Sequence, residues 1–548
     1  MIARRILPCV ALVLILGLPL SASGAAVAPV LTWGEPVPIS QQLPTSWFPD
    51  VQADPTGAIR LVWSADLAEG DGNLTHASTG AVMISELRGS GWAPAHDIVV
   101  MDAGIASRPL IASDGAYAHL LFRTGILGQV RLAYSRAPLS ANLGDVRSWS
   151  PPVAISDDNA YYAQISILPD GSLVTVFNVT SAQPIPGAVA TPILATRAAR
   201  TPTAAGAATP IAAASAGTPT AENARRTVAV ARRSTDHGRT WSFPTQVSFT
   251  NERVGRTTLA TSPDGKVLVA SWDEGYDNLT GLGDPVGVGT AISLDGGATW
   301  RAQQAIRSPL GPIEQSSVGF GADGALLIYR AVDTDQLLYR TLGNGQQRWS
   351  DEQPVPGVVA KPYTSKHNFD KVSLTHDGAG RILLAYIGQD ATAPKGLAVM
   401  VASFVAGQWF PATRVAAPDG YPEYPRLAVA LGNQLQLVYF VRDKQFDVGH
   451  YVLYSVAGQS DTQALAPVAP TFQAAPVGAT PTIALPPITL RAAPAIPNVP
   501  APLPAATTPL LSPQDVVTGP GLRALTAALL VIIGVWGVVT FWQRLRLG

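Results

Sequence analysis

The sequence predicts an all-β chain, a seven-bladed β-propeller at residues 27–456, flanked by apolar targeting segments. Three observations predict it. The 548 residues include 50 Gly and 47 Pro and are only 14% charged, a turn-rich composition unlike a coiled coil or helical bundle. Tryptophans at 92, 149, 241, 300, 349 and 409 each open a short strand, often with proline, at spacings of 49 to 60 residues apart from one interval of 92. Seven apolar runs end in an aromatic (Trp63, Phe122, Phe177, Trp272, Tyr329, Tyr386 and Tyr439), and each follows a glycine turn, at Gly57, Gly115, Gly171, Gly265, Gly324, Gly378 and Gly432. Asp-Gly between apolar runs marks a hairpin. A repeat of about 50–60 residues is one four-stranded blade with its loops.

The long interval contains 181–224, a Thr/Pro/Ala-rich tract with too little apolar surface for a core, expected to be a disordered insertion. The seventh unit has strands near 424–430, 435–441 and 450–456 but no Trp strand of its own. The missing strand is expected from 31–39 at the other end of the propeller. That pairing closes the ring and removes an unpaired sheet edge.

The ends read as targeting segments. Residues 1–26 form a signal peptide: Arg4 and Arg5, an apolar stretch from Ile6 to Leu20, then small residues. Cys9 lies inside it and is the chain's one cysteine, so the processed chain is expected to have no disulfide, thiolate metal site or cysteine nucleophile. Residues 457–520 are a Pro/Ala-rich stalk, extended at about 3.1 Å per residue where polyproline-like. Residues 521–548 hold an apolar run, Ala524 to Trp542, long enough to span about 30 Å of hydrocarbon, followed by Arg544 and Arg546. The basic tail is expected in the cytoplasm and the propeller outside, a single-pass cell-membrane protein. The net charge of -1 argues against a nucleic-acid partner.

Two units carry a sharper pattern, S-x-D-x-G-x-x-W, at Ser234–Trp241 and Ser293–Trp300. Asp236 and Asp295 are placed to accept backbone N–H groups across a turn. Gly238 and Gly297 suit positive φ, and Trp241 and Trp300 serve as apolar wedges. These segments resemble the Asp-box (BNR) repeats of the sialidase-like superfamily. The resemblance covers about 31–456 and implies that the Asp boxes are structural, on the face away from the ligand.

The first strand of each unit is expected to line a central funnel. Arg108, Arg256, Lys371 and Arg426 recur at that level, alternating with Phe48, Tyr162, Phe369 and Tyr424, and Asp50 joins them. A guanidinium fork binds a carboxylate through two hydrogen bonds. The resemblance therefore points to Arg108, Arg256 and Arg426 as a carboxylate clamp, with Lys371 and Tyr162 as further ligand contacts. A hydrolase of this type also needs a tyrosine helped by a carboxylate, for which Tyr421, Glu423 and Tyr424 qualify by position, and an acid/base Asp, for which Asp50, Asp66 and Asp71 qualify.

Oxygen-rich loops at 66–73 and 273–278 do not fit a calcium-loop pattern, and the scattered histidines lack zinc spacing, so neither metal nor cofactor is expected. Asn73, Asn178 and Asn278 head N-x-T triplets. Three functions remain: binding of an extracellular glycan at the funnel, exo-sialidase-type hydrolysis, and protein scaffolding.

Overall fold

The computed structural model describes residues 30–67, 80–101, 106–126, 129–156, 159–181, 226–277, 282–363, 372–444 and 450–461. The expected signal peptide, the insertion beyond Ser181, the stalk beyond Asp461 and the C-terminal span lie outside them, as do Lys371, Phe369 and Asp71. Among the described residues no helix is long and apolar enough to cross a membrane.

The described chain is all-β. Five four-stranded antiparallel sheets follow one another, beginning with strands Leu110–Ser113, Ala160–Ile167, Val254–Thr261, Ile313–Gly321 and Ser373–His376. A ten-stranded sheet holds the rest in two groups, one led by Thr45–Ala53 and one by Tyr421–Val429, joined through a single parallel pair, Thr45 with Tyr451. The leading strands lie beside one another in a cycle that returns to its start: Thr45–Ala53 contacts Leu110–Ser113 on one side and Tyr421–Val429 on the other.

Each meander follows from its sequence. Asp54, Asp114 and Asp377 each accept backbone N–H groups two to four residues on, which fixes the turn between first and second strands. Second strands are buried on both faces, as in Leu268–Glu274 and Gly324–Ala331, so they read as continuous apolar runs rather than alternating ones.

Among the described residues, seven apolar clusters fill the spaces between successive meanders, one of them between the two groups of the ten-stranded sheet. The repeated tryptophans lie in these spaces and reach to the preceding sheet. Trp241 packs edge-on against Tyr134 with ring centroids 5.1 Å apart, Trp349 Nε1 donates to Thr290 Oγ1 at 2.9 Å, and Trp92 Nε1 donates to Ser455 Oγ at 2.8 Å.

The N-terminal strands Leu31–Trp33 and Val37–Pro38 pair antiparallel with Tyr451–Ser460, in the registers Leu31 with Ser460 and Val37 with Ser455. The last strand thus runs four residues past the expected limit at 456. Pairing explains the difference: Leu31–Trp33 bonds to Gly458–Ser460, and Asp461 is held by Arg381 and by the Val30 carbonyl. Strands Leu173–Ser181 and Arg226–Ser234 pair as far as Ser181 with Arg226, so the 181–224 tract falls in the chain between the second and third strands of one sheet.

Candidate functional site

The ends of the sheets carry two kinds of feature. Both Asp boxes lie at the turn end. Ser234 is opposite Leu173, which is opposite Ile167, so the Ser234–Trp241 hairpin is at the same end as the first turn of its sheet. Asp236 accepts from Thr240 N at 2.9 Å, Thr240 Oγ1 at 2.6 Å and Ser234 Oγ at 2.8 Å, and Asp295 repeats the pattern with Thr299 and Ser293. Gly238 and Gly297 have φ of 77° and 85°, and Trp241 and Trp300 are buried. The six Asp-box residues thus make up two hydrogen-bonded turn-end hairpins.

The opposite end carries a repeated irregularity. The pairing of first with second strand slips at Trp47/Asp50, Ala160/Ala163, Val254/Thr257, Glu314/Ser317 and Glu423/Arg426. A β-bulge of this kind re-aims a side chain and is common beside functional sites. Phe48, Arg108, Gln315 and Tyr424 sit at this level with φ of 51°, 42°, 59° and 55°, a strained region for side chains of this size. The neighbouring sheet holds the irregular backbone in place. Ser64 Oγ accepts from Arg108 N at 3.0 Å, Asp50 Oδ2 from Ile111 N at 3.0 Å, and Asp273 Oδ1 from Ser316 N at 2.8 Å.

At this end the three expected arginines lie along a run of aromatic rings. The Arg108 guanidinium lies 4.0 Å from the Phe48 ring centre and 4.7 Å from that of Tyr162. Arg256 lies 5.6 Å from the same Tyr162 ring. Arg426 lies 5.1 Å from Tyr424, whose ring meets Phe48 edge-on at 5.4 Å. Arg256 and Arg426 are buried. Burial works against the charge of Arg256, but Tyr162, Glu314 and Asp273 outweigh it and hold its pKa above the ordinary value; Tyr424 and Asp50 do the same for Arg426. Both stay cationic. Burial raises the pKa of Asp273 against the pull of Arg256.

The expected catalytic carboxylates are placed differently. Glu423 is fully buried, and its Oε1 accepts from Lys361 Nζ at 2.6 Å and from Arg442 Nη2. Two buried cations thus share its charge. Asp50 is engaged by Arg426 Nε at 3.6 Å and by the Ile111 backbone. Tyr424 is packed between Phe48 and Phe440 and is mostly buried. Asn178 is also corrected: it is buried, accepts from Tyr162 N at 2.7 Å and donates to the Val254 carbonyl at 3.3 Å, so it is no glycosylation acceptor.

Two groups at this end were not expected. Arg123 is buried, lies 3.9 Å from the Tyr161 ring centre and donates to the Ala106 carbonyl. Tyr161 has Arg108 on the same ring at 5.6 Å, and its own ring meets Tyr162 edge-on at 5.1 Å. Burial raises the Tyr161 pKa, but Arg123 and Arg108 overcome it and bring it down to about 8. A sequence signal for this level exists in the residue after the strand-end aromatic. Ser64, Arg123, Asn178, Asp273 and Arg330 each follow one, and each bonds the irregular backbone at this end.

A β-propeller of Asp-box type with a basic, aromatic-lined end is the class that fold and site define. Residues 211–437 match the BNR repeat-like domain family. No curated protein matches the sequence. Similar solved structures include a protein of unknown function from Dyadobacter fermentans (14% identity, 78% of this chain and 99% of that one, TM-score 0.44). The intramolecular trans-sialidase from Ruminococcus gnavus has 12% identity over 77% of this chain and 96% of its own, with a TM-score of 0.39. An ulvan lyase has 11% identity over 78% and 95%, with a TM-score of 0.45. Likenesses this low say nothing of activity.

Proposed function

We propose that the chain is a seven-bladed propeller that binds an extracellular glycan bearing an anionic group at the bulged ends of its first strands. One observation carries this reading: Arg108 bridges the Phe48 and Tyr162 rings, Arg256 lies on the same Tyr162, and Arg426 lies on Tyr424, whose ring meets Phe48. Cations supply the counter-charge for a carboxylate, and aromatic faces supply apolar contact for a sugar ring. The cycle of leading strands and the seven apolar clusters support the blade number. Binding is favoured over hydrolysis because the tyrosine and helping carboxylate that hydrolysis of this type needs are otherwise engaged: Tyr424 is packed between Phe48 and Phe440, and Glu423 is held by Lys361 and Arg442.

The apolar termini support export and anchoring of this propeller at the cell membrane, with the proline-rich segment as a stalk. The test is binding of 3′-sialyllactose and of a glucuronate-containing oligosaccharide to the purified full-length protein, compared with neutral lactose. Binding of an acidic sugar that is lost in Arg108→Gln supports the proposal. Equal binding of neutral and acidic sugars, or of none, refutes it.

A further inference from the structure

Arg123 poses an electrostatic problem. Its guanidinium is buried, donates to the carbonyl of Ala106, and meets the ring and the phenol of Tyr161. Nε and Nη1 have no hydrogen-bond partner among the described residues. A buried cation without a counter-charge is costly. Arg108, on the same Tyr161 ring, adds a second positive charge. The acidic group closest to hand is the phenol of Tyr161. On losing its proton to solvent it becomes an anion on a ring that two guanidiniums flank at 3.9 and 5.6 Å.

We propose that Tyr161 is an ionisable counter-charge for Arg108 and Arg123 that competes with an anionic sugar for the same guanidiniums, so that the site takes such a ligand only while the phenol keeps its proton. This rests on the glycan-binding reading for the ligand and on the chain's own geometry for the counter-charge. The charged and titratable groups facing Tyr161 among the described residues are Arg123 on the neighbouring second strand, Arg108 ahead of the neighbouring first strand, and Tyr162 beside it, which in turn faces Arg256. The geometry accounts for the direction of the shift: the two guanidiniums outweigh burial and lower the Tyr161 pKa to about 8. Ligand affinity is then highest below that value. It falls about tenfold for each pH unit above it, because the binding-competent fraction falls by that factor.

Two measurements on the full-length protein test this separately. Ultraviolet absorbance of tyrosinate, followed from about pH 6 to about pH 10, is expected to show one of the 14 tyrosines ionising near pH 8. The step is expected to vanish in Tyr161→Phe and to move toward the ordinary tyrosine range in Arg123→Gln. A titration with no step below that range, or a step that persists in Tyr161→Phe, overturns the counter-charge. Affinity for 3′-sialyllactose over the same range is expected to fall above about pH 8 in the wild type and to stay flat in Tyr161→Phe. A flat wild-type profile overturns the competition. Absence of binding at every pH refutes the glycan reading and with it the competition, while the absorbance step still decides the counter-charge.

Discussion

Glu423→Gln separates a structural carboxylate from a catalytic one. Glu423 has no solvent exposure, and its Oε1 is shared by Lys361 and Arg442, whose side chains are 7% and 1% exposed. Glutamine preserves the shape and removes the charge, leaving two buried ammonium and guanidinium groups around a neutral amide. Removing one partner of a buried ion pair costs about 3–5 kcal/mol. An unfolding entropy of about 2.1 cal/mol/K per residue makes each kcal/mol worth roughly 1–2 °C in a domain of this length. The melting temperature of Glu423→Gln is therefore expected to fall by about 5 °C by calorimetry. Adding Lys361→Met to Glu423→Gln is expected to recover part of the loss, since one uncompensated cation disappears, and the two changes are non-additive because they share a contact. A Glu423→Gln protein that melts with the wild type yet loses a sugar-cleaving activity would refute this reasoning and restore Glu423 as a reacting group.

Other outcomes follow from the same geometry. A Cβ at Gly238 would lie 1.8 Å from the Tyr134 hydroxyl at a φ of 77°, so Gly238→Ala is expected to lower denaturant stability by roughly 2–4 kcal/mol. Asp295→Ala removes three acceptor contacts at the turn end and is expected to cost about 1–2 kcal/mol while leaving acidic-sugar affinity unchanged; a lost affinity would contradict the separation of the two ends. His119 is buried, with Nε2 at 3.0 Å from Asp114 Oδ2 and Nδ1 at 2.7 Å from the Tyr134 hydroxyl. Burial outweighs Asp114 and lowers its pKa, so the unfolded chain takes up a proton near pH 6.5 that the native chain does not. Stability is expected to fall as pH drops below about 6.5. The carboxyl of Asp114 is also depressed: burial opposes, but His119 and His237 overcome it. Its contribution is present above the unfolded carboxylate value and is lost on further acidification. Urea midpoints across this range check both, and His119→Gln is expected to flatten the first decline.

Much of the architecture is legible along the chain because its causes are local. Asp-Gly turns, aromatic strand ends and the S-x-D-x-G-x-x-W hairpins each specify a few neighbouring residues, and repetition multiplies the signal. The pairing of 31–39 with the last strand is legible for a different reason: one unit lacked a strand and the other terminus had one to spare. The strand's extension to Ser460 is not legible, since Ala457, Gly458 and Gln459 read as linker until Leu31–Trp33 is laid beside them. Arg108, Arg256 and Arg426 stand out as basic residues at strand starts.

What each charge does is another matter, because charge energetics depend on distance through space and on burial. Glu423 and Arg442 are 19 residues apart, Glu423 and Lys361 are 62 apart, and sequence alone leaves Glu423 looking as available as any acid. Likewise Tyr161 looks like half of a tyrosine pair until Arg123 and Arg108 are placed on its ring. Hydrogen-bonded turns and apolar periodicity are properties of short segments and could be deduced from residue order. The pairing of buried charges is a property of the sheets brought together, and it took their tertiary packing to bring Glu423 to Lys361 and Arg442, and Tyr161 to Arg108 and Arg123.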